Sequence, residues 1–285
     1  MKINDDTGLI LAPPLERIKR FYDTGSPYYL EVFGQHLHDG YYLTGKESRT
    51  EAQENLIKFL VEKANIQPRA KILDVGCGMG GSSIWLAKNL GAKTIGITIS
   101  PMQIEIARRL AREEKTDSVF LLMNAEEMDF TGSFDVIWLV AAVNHFRNQR
   151  NFFNLAAKYL EKRGKLILFD WMIDEGAGNI EDDRDIRLIL EGMFLSSLHS
   201  KNNYFDWLKE NGYRIIFVED ITEYTLKTWE EAISLIKEPG ILKLAFEIAK
   251  KEGKGVFTFL KSIRAMKQAM RKGKMRSMII IGEKI

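Results

Sequence analysis

The ten residues Ile72-Leu73-Asp74-Val75-Gly76-Cys77-Gly78-Met79-Gly80-Gly81 constrain the fold of this chain more than any others. The largely apolar run from Lys71 to Val75 predicts a buried parallel strand. Glycines follow at once, and Ser82 or Ser83 can cap a helix that begins there. Gly76, Gly78 and Gly81 satisfy G-x-G-x-x-G, with Gly80 as an extra small residue. Without Cβ atoms the backbone can approach a ligand closely, and the N–H groups of the helix face it. The expected element is the first crossover of a nucleotide-binding α/β sheet.

A dinucleotide site needs a carboxylate about 20 residues further on, at the end of the second strand, to hold the ribose hydroxyls. The second strand here is Lys93-Thr94-Ile95-Gly96-Ile97-Thr98, followed by Ile99-Ser100-Pro101, with no carboxylate. Asp74 instead precedes the glycines. A carboxylate at that place can accept from an ammonium group, directly or through water. The pattern therefore favours an amino-acid-bearing nucleoside, S-adenosylmethionine (SAM), over NAD.

With 285 residues, 45% of them apolar, the chain can fill one large domain with sizeable insertions. A net charge of +2 gives no global field for nucleic acid. The single cysteine, Cys77, cannot form an internal disulfide, and the first six residues are mostly polar, with no signal-peptide core. The longest apolar run, Phe134 to Val143, is interrupted by Asp135 and is too short to span a bilayer. The expectation is a soluble, cytoplasmic protein. Strand patterns at 71–75, 93–98, 118–123, 134–140 and 164–170 alternate with helical ones at 82–90, 101–115 and 148–161. A helix at 201–211, a strand at 213–219 and a last strand at 275–282 follow. The predicted organisation is an N-terminal helical cap (1–70), a Rossmann-like core (71–220, with an insertion at 174–200), a helical lid insertion (221–272) and a final core strand (273–285).

The segments ILDVGCGMGGSS (72–83), GITISPMQ (96–103), NAEEMDF (124–130) and AAVNHF (141–146) resemble class I SAM-dependent methyltransferases. GITISPMQ is similar to the branch that keeps Thr and Gln where most relatives have an acid. That branch holds tocopherol and sterol C-methyltransferases, phosphoethanolamine N-methyltransferases and mycolic-acid cyclopropane synthases. HLHDGYY (36–42) and the tail from Tyr204 to Lys274 extend the resemblance to the tocopherol group. It implies a seven-stranded mixed sheet, last strand antiparallel, with helices on both faces and a helical cap. It also implies that Asp74, Gly76, Cys77, Gly78 and Gly80 border the methionine part of SAM. Thr98, Ile99 and Gln103 would hold the ribose, and Asn124, Ala125 and Glu126 the adenine, Glu126 through its backbone. The side chains of Thr98 and Gln103 can each accept a ribose hydroxyl proton without a charge. Val140 and His145 follow strand four and face the methyl group. S-adenosylhomocysteine would be the product.

Methyl transfer from a sulfonium is an in-line displacement, catalysed largely by alignment. Aromatic faces can surround the cation. Tyr22, Tyr41 and Tyr42 are candidates for that wall or for ordinary cap packing, and the resemblance implies that the loop holding His38 closes on SAM, with Tyr22, His38 and Tyr41 binding the cofactor. A carbon or hydroxyl acceptor must also lose a proton. His145 is the candidate base, or else a helix cap. Asp170 closes strand five at the same rim. In similar sugar O-methyltransferases a histidine and an aspartate at such places act as acid and base, but Asn144 stands first in their His pair. Cyclopropane-forming relatives look to have a glutamate at the Asn144 position and a cysteine in the N-terminal loop. Both are absent here, which favours ordinary methyl transfer. His36-x-His38-Asp39 is too small a set for a metal site, and none is expected.

Residues 250–276 carry ten Lys or Arg against one acid, Glu252. Val256, Phe259, Ile263, Met266 and Met270 recur at helical spacing. This is either a lid over an isoprenoid or aromatic acceptor, with a basic face toward a membrane, or a core helix with a solvated face. Met193, Phe194, Leu195, Tyr204 and Trp207 are further candidates for the acceptor channel. The favoured activity is C-methylation of a small apolar quinol or isoprenoid-like acceptor. The alternatives are N- or O-methylation of a small polar metabolite, served by Asp174, Glu175, Glu181, Asp182 and Asp183, or SAM binding without transfer. The oligomeric state is not legible in the sequence.

Overall fold

Apolar runs bounded by glycine and proline fold into a seven-stranded sheet. A computed structural model describes residues 2–3, 9–10, 13–178, 183–252 and 255–285. The strands are β1 (Lys71–Val75), β2 (Lys93–Thr98), β3 (Val119–Leu122), β4 (Phe134–Val140), β5 (Leu160–Ile173), β6 (Tyr213–Asp220) and β7 (Met275–Lys284). Their spatial order is β3-β2-β1-β4-β5-β7-β6. The first five pair in parallel, and β7 runs antiparallel to both of its neighbours. β5 is longer than its apolar pattern predicts. Its early part joins β4 through a register shift, with Arg163 in the left-handed region (φ 63°). Such a bulge leaves no hydrophobic periodicity to read.

Helices α1 (Leu15–Phe33) and α2 (Arg49–Ala64) precede the sheet. α3 (Gly81–Leu90), α4 (Pro101–Glu113) and α5 (Gln149–Tyr159) connect its parallel strands. α6 (Arg184–Gly192) and α7 (Lys201–Glu210) follow β5, and α8 (Thr222–Leu235), α9 (Pro239–Glu252) and α10 (Gly255–Arg271) separate β6 from β7. Successive strand residues face opposite sides of a sheet. Leu73, Leu139 and Leu168 accordingly pack on α5 and α7 through Phe152, Phe153, Trp207 and Leu208. Their neighbours Ile72, Trp138 and Phe169 pack on α2 through Leu56, Ile57 and Leu60. A separate cluster joins α6, α8 and α10 through Ile189, Trp229, Ile263 and Met266. Among the described residues no helix is long and apolar enough to cross a membrane.

α2 is set by a capping box. Ser48 Oγ accepts from the Glu51 N–H, and Glu51 Oε2 accepts from the Ser48 N–H at 2.8 Å. Ser48→Ala is expected to destabilise the protein by about 1 kcal/mol. The denaturation midpoint measures it; an unchanged midpoint contradicts it.

Five of the ten basic residues in and around α10 are paired within the chain. Lys267 and Arg271 pair with Glu230, Lys272 with Asp185, Lys274 with Asp183, and Arg276 with Asp174.

Candidate active site

β1 leads into β2 on one side, while β4 lies on its other side. A crevice opens at the carboxyl ends of β1 and β4, where such sheets take their ligands. It holds a cavity of about 240 Å³. Asp74, Gly76, Cys77 and Gly78 form its floor, Thr98, Ile99 and Gln103 one side, and Asn124, Ala125 and Glu126 the far end. Val140 and His145 close the β4 side, and Tyr22 and His38 come down from above.

The turn needs glycine. Gly76 has φ 72°, and a Cβ there would lie 2.5 Å from the Ala142 Cβ. Asp74, 3% exposed, accepts a 2.6 Å hydrogen bond from the Ser83 hydroxyl. Burial nonetheless raises its carboxyl to about 7, against the lowering effect of Ser83. At the end of β2 the Thr98 hydroxyl donates to Gln103 Oε1 at 2.6 Å. The Gln103 amide oxygen thereby accepts one hydrogen bond and keeps a second lone pair, and its Nε2 can donate to a ligand. Gln103 can thus accept from a ribose hydroxyl, as the sequence suggested, and can donate as well. Glu126 Oε1 accepts from the Asn148 N–H at 2.7 Å, so its carboxylate holds the start of α5.

α1 covers the crevice through two adjacent residues. Asp23 Oδ1 accepts from the Ser100 hydroxyl at 2.5 Å and from the Met102 N–H at 3.3 Å, in the first turn of α4. Tyr22 reaches His145 Nε2 at 2.8 Å, and His145 Nδ1 lies 3.1 Å from the Phe194 carbonyl. A carbonyl only accepts, so Nδ1 carries the proton and the Tyr22 hydroxyl donates to Nε2. Burial lowers His145 to about 4 and pushes the Tyr22 phenol up. His145 is not a helix cap: Asn148 caps α5.

The loop from Gly34 to Gly40 is held over the same cavity. The Gln53 amide donates to the carbonyls of His36 and His38, each at 2.9 Å. His38 Nδ1–H donates to the Asp39 carbonyl at 2.9 Å, leaving its buried Nε2 as an acceptor without a protein partner. Trp171 Nε1–H donates to Asp39 Oδ2 at 2.9 Å. Beyond the loop the lining turns apolar through Phe21, Tyr29, Phe33, Phe259 and Ile263. These five also border a second chamber of about 480 Å³ between α1 and the helices α8 to α10.

Residues 11–258 match the family described as mycolic acid cyclopropane synthetase. The chain belongs to that family. It is a SAM-dependent methyltransferase, with SAM as its cofactor. It is 28% identical over 223 residues to the 27-O-demethylrifamycin SV methyltransferase of Amycolatopsis mediterranei (strain S699), covering 77% of this chain and 82% of that one. It is 29% identical over 253 residues to the 2-methyl-6-phytyl-1,4-hydroquinone methyltransferase of Synechocystis sp. (strain ATCC 27184 / PCC 6803 / Kazusa), covering 81% and 74%. In fold it matches the mycolic acid cyclopropane synthase CmaA1, solved with SAH and CTAB, at TM-score 0.83 and 20% identity. That match covers 96% of this chain and 99% of the other.

Within this methyltransferase, five residues expected at the site lie elsewhere. Asp170 and Asn144, expected as catalytic groups, do not line the cavity. Trp171 faces the cavity, so strand alternation turns Asp170 away from it. Asn144 Nδ2 donates to Asp170 Oδ1 at 2.7 Å, behind the wall. Tyr41, expected near SAM, is wedged between Phe59 and Tyr224, with centroids at 4.8 and 4.6 Å. Tyr42 donates to Glu231 at 2.8 Å. Gly80 is also outside the cavity; it starts α3 at φ 83° and abuts the Phe120 ring.

Of the channel candidates, Met193 and Leu195 line the cavity and Phe194 the second chamber. Tyr204 and Trp207 lie in the core under α7 instead. Asp174 and Asp183 are tied to Arg276 and Lys274, and Glu175 to Lys201 at 3.7 Å. These three acids do not line the cavity, and Glu181 and Asp182 lie outside the described residues. Sequence reasoning missed Trp171, Arg49, Thr228 and Trp229, all in the lining. It considered Asp39 only as a metal ligand. The alternation of β5 around Phe169 was the available signal for Trp171.

Proposed function

We propose that the protein transfers the SAM methyl group to a carbon of an apolar aromatic acceptor, a quinol carrying an isoprenoid-like chain. One observation carries the reading. The cavity beyond the glycine turn is walled by Phe21, Tyr29, Phe33, Phe259 and Ile263, which also border the second chamber. Of the acids that would serve a small polar amine, the described three, Asp174, Glu175 and Asp183, are tied up in ion pairs away from it. An aromatic head would sit in the first cavity and a hydrocarbon chain would enter the second. The name of the Synechocystis relative, a phytyl hydroquinone methyltransferase, agrees with that class.

The residues fit the cofactor. The backbone at Gly76 and Gly78 leaves room for a close approach, and Asp74 suits an ammonium group. Gln103 Nε2 would donate to a ribose oxygen. Asn124, Ala125 and the Glu126 backbone would flank the adenine, with Cys77 and Ile99 in van der Waals contact. When bound, SAM supplies an electrophilic methyl on sulfur. The protein's part is alignment: Tyr22, Val140 and His38 narrow the space around the reacting carbon, and the Tyr22–His145 bond fixes the phenol. His145 stays neutral from pH 5 to 8, since its value lies near 4. For an acceptor dissolved in a membrane, the exposed Lys261 and Arg264 on α10 would meet anionic headgroups.

The test is transfer of labelled methyl from SAM to 2-methyl-6-phytyl-1,4-hydroquinone, to its chainless analogue and to small amines. The expected order is the phytyl compound well above its analogue, with no transfer to amines. Transfer confined to amines overturns the reading.

A further inference from the structure

We propose that Asp39, not His145, is the base that takes the acceptor's proton. The inference rests on the methyl-transfer reading above. Asp39 is 2% exposed yet lines the cavity. Its backbone is pinned: the carbonyl accepts from His38 Nδ1, and the next residue, Gly40, donates its N–H to the Thr228 hydroxyl at 2.9 Å. Its carboxylate is oriented by the Trp171 indole N–H. Thr228, Trp229 and Trp171 stand around it in the same wall, so an aromatic head in the cavity meets a fixed carboxylate.

His145 is poorly placed for this task. Nδ1–H is committed to Phe194 O, and Nε2 already takes the Tyr22 proton donor. A substrate proton could reach it only by displacing Tyr22.

The charges facing Asp39 are few. Asp170 on β5 raises its carboxyl, Arg49 at the start of α2 lowers it, and the Trp171 and Ser277 hydrogen bonds lower it. His38, beside it, is held neutral by burial. Burial of Asp39 dominates, and its carboxyl lies near 7. A base poised there works best near neutral pH.

With a hydroquinone the step balances. The phenolic O–H proton passes to the Asp39 carboxylate as its electron pair moves into the ring. The ring carbon forms a bond to the methyl carbon, and the S–CH3 bond breaks with its pair going to sulfur. That carbon then loses its hydrogen as a proton, restoring the aromatic ring. Asp39 returns its proton to the phenolate oxygen, and one proton leaves to water.

The experiment uses full-length wild type, Asp39→Asn and Trp171→Phe with SAM and 2-methyl-6-phytyl-1,4-hydroquinone. Asparagine keeps an acceptor for the Trp171 N–H. We expect Asp39→Asn to bind SAM as wild type does, by calorimetry, while kcat falls about a hundredfold or more. Wild-type kcat should rise with pH through about 7, and this limb should vanish in Asp39→Asn. Trp171→Phe removes a bond that favours the charged carboxylate, so its limb should move to higher pH. Burial raises Asp74 and Asp170 to about 7 as well, so carboxyl 13C NMR should show several signals titrating near neutrality in wild type, one of them missing in Asp39→Asn. If Asp39→Asn fails to bind SAM, the Trp171→Phe limb decides, and an unmoved limb overturns the assignment. So does Asp39→Asn turning over at more than half the wild-type rate. A wild type that binds SAM but methylates no hydroquinone overturns the acceptor reading itself.

Discussion

Replacing Asp74 by alanine should weaken SAM binding by about thirtyfold to several thousandfold. Truncating one partner of a buried charged hydrogen bond costs about 2–5 kcal/mol, and each ~1.4 kcal/mol is tenfold in Kd. Asp74 is 3% exposed, and Ser83 is its hydrogen-bond donor within the protein. The SAM ammonium would be its second partner, so alanine leaves that ammonium buried without a counter-charge. Calorimetry reads the loss directly; an unchanged Kd in the folded variant contradicts the role given to Asp74. The same residue sets a pH dependence. Its carboxyl lies near 7 without ligand, and an ammonium partner favours the charged form. Below pH 7 binding must expel a proton, so affinity should fall as pH falls through 7 and level off above it. In the free protein the sign is opposite. A raised carboxyl value means that stability is full below the ordinary carboxylate range and declines as pH rises toward 7.

Gly76→Val should destabilise the folded protein by about 2–5 kcal/mol. The left-handed conformation costs an L-residue about 1–2 kcal/mol, and φ at Gly76 is 72°. The added Cβ would also lie 2.5 Å from the Ala142 Cβ, backed by the end of β4. Overpacking of that kind adds about 1–3 kcal/mol. The loss should appear as a lower denaturation midpoint before any ligand is added. A variant as stable as wild type would mean that the turn has another conformation open to it.

The sheet was legible because its signals are local. Apolar runs such as Ile95 to Ile97 and the glycines after Val75 are read within a few residues. The floor of the cavity, from Asp74 to Gly78, follows from the same stretch. What was not legible depends on which way a side chain turns at the end of an element. Asp170 and Trp171 are neighbours at the rim of β5, and one step of alternation separates the cavity wall from the core behind it. Tyr41 follows a loop with no periodicity, and only its stacking on Phe59 and Tyr224 shows where it goes. Gln103 was found, but the hydrogen bond that the Thr98 hydroxyl gives its amide oxygen was not. The Tyr22–His145 bond spans 123 residues of chain, a separation no local pattern reports.

Tyr22 and Asp23 are consecutive on α1, yet one is fastened beyond β4 and the other at the start of α4. The two fastenings straddle the crevice, so neither edge of α1 can lift while its own bond holds. Exchange of spent cofactor for fresh is then governed by how often one helix leaves its seat. Release of spent cofactor would then need this helix to lift, as a closing element does in other enzymes. Loosening α1 would quicken release and let water reach a site that works by excluding it.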